Sequence, residues 1–188
     1  MSTLEAWSTV ASLVTLIVLT ATAIAALSQM RHARSSNQIA AVTEMRETME
    51  SERFRAARRF VAEQVPQLVA DPAERKKLWD ENLAAEFDAI RELASFFETM
   101  GAFVKLGIVD RALVCDLWDG IVFTTWKQLE PVIMIRRKVY YHGFCANFEY
   151  LAVICQASLS KTQGDHYPAG MPRMTIDKRS LDAASAVG

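Results

Sequence analysis

The sequence predicts an all-α protein, an N-terminal transmembrane helix continuing into a cytoplasmic helical bundle. Three observations predict it. Residues 6–30 carry no charge, no Gly and no Pro. No Gly occurs before Gly101 and no Pro before Pro66, so nothing obvious breaks a helix from Glu5 to Val65. Beyond that point apolar residues recur at three- and four-residue steps, and no alternating strand pattern of useful length appears. The chain has 188 residues, 51% of them apolar, which allows one domain. Its 21 basic and 22 acidic residues nearly cancel, which argues against a strongly basic nucleic-acid binder and against a disordered chain. Cys115, Cys145 and Cys155 lack metal or disulfide spacing and argue against a secreted disulfide scaffold. Four segments follow from this reading: an anchor over 1–30, a long connecting helix over 31–65, a helical bundle over 66–159 and a mobile tail over 160–188.

The anchor comes first. A helix rises about 1.5 Å per residue, so about 20 apolar residues cross the hydrocarbon layer of a bilayer. The run from Ala6 to Met30 exceeds that length, and Trp7 sits at its outer edge, where an amphipathic ring suits the headgroup region. Residues 1–6 hold no basic n-region, and the run is too long for the apolar core of a signal peptide; a retained anchor is expected. Glu5 precedes the span, while Arg31, His32 and Arg34 follow it. Basic flanks stay cytoplasmic, which places the N-terminus outside and the bulk of a bacterial inner-membrane protein inside. Thr9, Ser12, Thr15, Thr20 and Ala23 are small or polar and permit close helix approach in lipid, so a homo-oligomer built around the span is expected.

The later elements follow in order. Ile39, Val42, Met45 and Met49 form a narrow apolar stripe, suited to a coiled-coil seam or a packing face. Asp71-Pro72 marks a turn into a new helix. Phe87, Ile90, Ala94, Phe97, Gly101 and Val104 share one face of a buried helix that Gly107 ends. Asp110 is the N-cap of the next run, and Pro131 is expected to break or kink it. After Gly143 comes a last helix with Phe144, Phe148, Leu151, Ala152 and Cys155 on one face. Trp79, Trp118 and Trp126 are expected in the core.

Conspicuous chemical motifs are absent: no Walker A loop, no G-x-G-x-x-G, no H-E-x-x-H and no C-x-x-C. No cofactor, metal or small-molecule substrate is expected. One arrangement stands out. Arg137 and His142 stand as R-x4-H, and Arg136 gives R-x5-H with the same histidine. An imidazole that shuttles protons beside a guanidinium that grips phosphate suits phosphodiester cleavage. Two structural uses compete with it. Arg136, Arg137 and Lys138 suit a helix C-terminus, and Glu149 is placed to pair with Arg136 or Arg137. A second basic cluster, Arg53, Arg55, Arg58 and Arg59, could touch RNA or anionic lipid. On a straight helix Arg53 lies about 35 Å below the span, which favours pairing with Glu50, Glu52 and Glu63 over lipid contact.

A membrane span feeding a small helical domain with R-x4-H before its last helix resembles the HEPN family (higher eukaryotes and prokaryotes nucleotide-binding). In particular it is similar to the small membrane-anchored accessory proteins encoded beside type VI-B RNA-targeting CRISPR effectors, which assemble as membrane pores. The segments FFETMGAFVKLGIVDRALVCDLWDGI and ANFEYLA also resemble a family of single-pass bacterial membrane proteins. The likeness covers roughly residues 5–158. It implies a divergent HEPN-like fold, oligomerisation through the span, a role in phage defence, and RNA or an RNA-targeting CRISPR effector complex as partner. It also implies Arg137 and His142 as the catalytic pair of any nuclease. Lys138 stands where HEPN nucleases place Asn, Asp or His directly after the arginine, a departure that points away from cleavage.

Overall fold

The uncharged run forms helix α1, Thr3–Glu50, unbroken over 48 residues and about 72 Å long at 1.5 Å per residue. In the computed structural model, which describes residues 3–79, 87–162, 167–168 and 170–173, every residue from Thr15 to Met30 is exposed. This helix is long and apolar enough to cross a membrane. The hydroxyls of Thr20 and Thr22 donate back to the carbonyls of Leu16 and Val18 at 2.8 Å, so they leave no unpaired donor on an apolar surface. The side chains of Thr9 and Ser12 lie outside the described residues. Burial begins only near the end of α1. Met45 is buried, Val42 and Met49 are half-buried, and Ile39 is 63% exposed. The apolar stripe therefore meets the bundle over its last two turns alone.

The expected continuous helix to Val65 breaks at Ser51. Its backbone turns extended, and its hydroxyl caps helix α2, Glu52–Ala70, by accepting from the Phe54 amide at 3.2 Å. The division before Pro66 also falls in the wrong place. Pro66 lies inside α2, and Phe54, Val61 and Val65 of that helix are fully buried, so α2 belongs to the bundle and not to a connecting helix. Asp71 caps the short helix α3, Pro72–Lys77, through its side chain and the Ala73 amide at 2.8 Å.

Helix α4, Asp88–Lys105, buries the predicted face, from Ile90 through Ala94, Phe97 and Gly101 to Val104. Gly107 then adopts φ +68°, a conformation that costs a glycine little. Asp110 accepts from the amides of Ala112 and Leu113 and starts α5, Arg111–Val139. Pro131 does not break this helix. It sits on the exposed side, where the hydrogen bond it cannot make is turned to solvent, while Leu129, Val132 and Ile133 hold the buried side. Helix α6, Ala146–Thr162, packs against both α4 and α5, and α2 packs against the same pair. A chain of rings runs through the middle: Phe54 meets Phe97, Phe97 stacks on Phe148 at 4.9 Å, and Trp126 stands edge-on to Phe148 at 5.1 Å. Trp126 is core as expected, Trp118 is half-buried, and Trp79 is 46% exposed. All six elements are helices, and no strand occurs among the described residues. The tail assigned from 160 begins inside α6, and most of it lies outside the described residues.

Candidate functional site at the turn between α5 and α6

Helix α5 ends in Arg136, Arg137 and Lys138, and the chain reverses through Tyr140–Cys145 into α6. The two arginines point to different partners. Arg136 is buried; its Nη1 donates to the Leu78 carbonyl at 3.0 Å and its guanidinium lies 4.2 Å from the centre of the Tyr140 ring. Arg137 turns toward α6. Its Nε donates to the Phe144 carbonyl at 2.9 Å and its Nη2 to Glu149 Oε2 at 2.6 Å. The side chain of Arg137 is 15% exposed and that of Glu149 is 42% exposed. This is a short, charge-assisted contact that ties the reversing chain to both helices it joins.

His142 is exposed on the turn, and the polar contacts of Arg137 do not include it. The structure thus brings Arg137 together with Glu149, the pairing that competes with a phosphate site. Tyr140 stacks on Phe144 at 5.8 Å and Tyr141 stands edge-on to it at 6.3 Å. Beside them an apolar cleft between α4 and α5 is lined by Ile90, Ala94, Ile133, Arg136, Tyr140 and Phe144, among others.

The start of α6 is fixed from the other side by Glu98, a residue that no sequence motif marks. Its Oε2 accepts from the Phe148 amide and its Oε1 from Asn147 Nδ2, both at 2.8 Å. A carboxylate over the first amides of a helix satisfies orphan donors and suits the positive end of the dipole. Nearby, Gly101 lets α4 approach α6 so closely that a Cβ there would sit 2.1 Å from the Asn147 carbonyl oxygen. Cys145 takes φ +55°, strained for a residue with a side chain. Burial pushes its thiol up to about 12, and the Glu98 carboxylate acts in the same direction, against a smaller opposing pull from Arg137. Cys155 is pushed up as well, first by burial and then by Cys115, whose sulfur lies 3.9 Å away. Neither is a ready thiolate nucleophile. No group of three or more His, Cys, Asp or Glu residues converges among the described residues.

The second basic cluster is largely neutralised on its own surface. Arg53 pairs with Glu92 at 2.7 Å, and Arg55 and Arg59 both reach Glu52, at 3.2 and 3.0 Å. These guanidiniums hold the Glu52 carboxyl below its ordinary value, Arg59 most of all through its hydrogen bond. Glu92 was not foreseen as a partner, because it lies on α4 and not on the arginines' own helix. Arg58 is exposed.

Comparison with known proteins covers the apolar part of α1 and the bundle together. Residues 15–153 match a family described as a domain of unknown function, DUF4760, so the match begins inside the exposed apolar part of α1 and ends in α6. No curated protein and no solved structure matches the chain.

Proposed function

The chain belongs to the DUF4760 family, and from that premise and its own geometry we propose a single-pass membrane protein that acts by assembly and binding. One observation carries the reading. The wholly exposed stretch from Thr15 to Met30 is apolar, and it continues without a break into the turns that dock on the bundle. In water such a surface would drive aggregation; in a bilayer it is the expected exterior. In this reading the span crosses a bacterial inner membrane with its N-terminus outside, and the basic residues after Met30 hold the bundle in the cytoplasm. Copies associate through the span, and the assembly serves as an effector or accessory in phage defence. The defence role is supported by the HEPN-like arrangement of span, helical domain and R-x4-H. The commitment of Arg137 to Glu149 and to the Phe144 carbonyl supports a non-catalytic role, since that guanidinium already has its anion.

A second reading, an anchor that recruits a cytoplasmic partner, is favoured by the grooves on either side of α1. One is lined by Met45 and Phe103 among others, the other by Met49 and Trp118. Topology is the first test. A reporter active only in the cytoplasm should work when fused after Gly188 and fail when fused before Glu5. The reverse pattern would overturn the orientation, and activity at both ends would overturn the span. A defence locus around the gene favours the effector over the plain anchor.

A further inference from the structure

The turn between α4 and α5 presents two apolar side chains outward, Leu106 at 72% exposure and Ile108 at 43%. An exposed leucine alone is ordinary. The position of this pair is not. Helix α4 runs back along α1: Ala41 and Met45 line one groove with Met100 and Phe103, and Met30 and Ala33 line another with Leu106 and Ile108. Met30 is the last residue of the uncharged stretch. The turn therefore stands beside the end of the apolar exterior of α1, with Asn37 completing the shared groove.

The turn is also built to hold that position. The amides of Leu106, Gly107 and Ile108 donate to the carbonyls of Ala102, Val104 and Phe103 at 2.9, 3.1 and 2.9 Å. Val109 is fully buried just beyond, and Asp110 is occupied in capping α5. Lys105 and Arg111 flank the turn, both exposed, and Lys105 Nζ also donates to Asn147 Oδ1 at 3.4 Å. A long cationic stem beside apolar side chains suits the boundary between acyl chains and anionic headgroups.

We propose that the Leu106–Ile108 turn is a second membrane contact, seating its two apolar side chains in the interfacial layer beside the point where α1 leaves the bilayer. The bundle is then held against the membrane at two points and does not swing on α1 alone. The proposal rests on the reading of α1 as a span, and the experiment separates the two.

The three native cysteines are buried, so an introduced cysteine can be labelled selectively in the folded chain. An environment-sensitive fluorophore is placed at Lys105→Cys, at Leu19→Cys or at Tyr141→Cys in the full-length protein. Each is reconstituted in vesicles of phosphatidylethanolamine and phosphatidylglycerol, with or without nitroxide lipids. The label at 105 should lose most of its emission to a headgroup-level nitroxide, and the label at 19 to a deep one. The label at 141, about 43 Å further along the 29 residues of α5, should be unchanged. Adding Leu106→Asp with Ile108→Asp should restore the emission at 105. A water-like, unquenched label at 105 beside a quenched label at 19 overturns the second contact and leaves the span standing. A label at 105 shielded from water yet unquenched puts another chain over the turn and also overturns it, as does quenching that survives the double aspartate change. An unquenched label at 19 overturns the span itself.

Discussion

Arg137 carries opposite consequences under the two uses of the R-x4-H pattern. As a phosphate ligand it would be dispensable for folding; as the partner of Glu149 and of the Phe144 carbonyl it closes the α5–α6 turn. The geometry also sets the size of the effect. Glu149 is 42% exposed, so removing the arginine leaves a carboxylate that water can partly reach, and not a stranded buried charge. Arg137→Ala is expected to cost about 1–2 kcal/mol, the range for losing charge-assisted hydrogen bonds with partial rehydration. His142→Ala, on an exposed turn, should stay within about 0.5 kcal/mol. Thermal melts of the two variants check the order. An unchanged melt in both variants would reverse the assignment and return both residues to a surface site. A nuclease assay on the same variants completes the test, since cleavage lost in both would restore Arg137 and His142 as a catalytic pair.

At the scale of elements, the crossing of α4 and α6 depends on Gly101. A methyl group at position 101 would meet the Asn147 backbone 2.1 Å away, and backbone cannot rotate aside as a side chain would. Gly101→Ala is expected to destabilise by about 1–3 kcal/mol, as overpacking does. Gly120→Ala is the matched control. It lies inside α5 with nothing within 4 Å of an added Cβ, and should stabilise by about 0.4–1 kcal/mol. Chemical denaturation of both variants reads the difference, and equal effects would mean the helices separate freely at Gly101. The same elements explain what the sequence could and could not tell. The α4 face was legible because six small or apolar positions repeat with one period and all six are buried. The break at Ser51 was not, because helix formers stand on both sides and one hydroxyl makes the difference. Proline is a helix breaker in sequence, yet Pro66 and Pro131 both fall on exposed sides of helices, where a missing backbone bond matters least. At the turn, Glu149 was visible as a partner only 12 positions from Arg137. Glu98 was not, since its bonds reach 49 and 50 positions along the chain and only the fold brings them together.

The whole molecule is a long rod joined to a bundle by a narrow contact. Of the 48 residues in α1, only Met45 is buried among those described, and Ala41, Val42 and Met49 are half-buried against the core. Among the described residues of the apolar part, Thr15–Gln29 are all exposed within one chain, and only Met30 at its end shares a groove with the bundle, beside Leu106 and Ile108. Lipid tails are as apolar as leucine, so association in the membrane depends on close approach and not on hydrophobicity. Thr15, Thr20 and Ala23 supply short side chains for that approach, and the Thr20 hydroxyl bonded to Leu16 frees the helix surface of an unpaired donor. A ring or bundle of several copies is the expected outcome. In mild detergent, mass measurement on the intact chain should give two or more times 21.0 kDa. Replacing Thr20 and Ala23 together by leucine keeps the span apolar but fills the space between helices, and should shift the population toward single chains. A strict monomer at every protein concentration would remove the assembly and any pore with it. An oligomer indifferent to the leucine pair would move the interface from the span to the grooves beside α1.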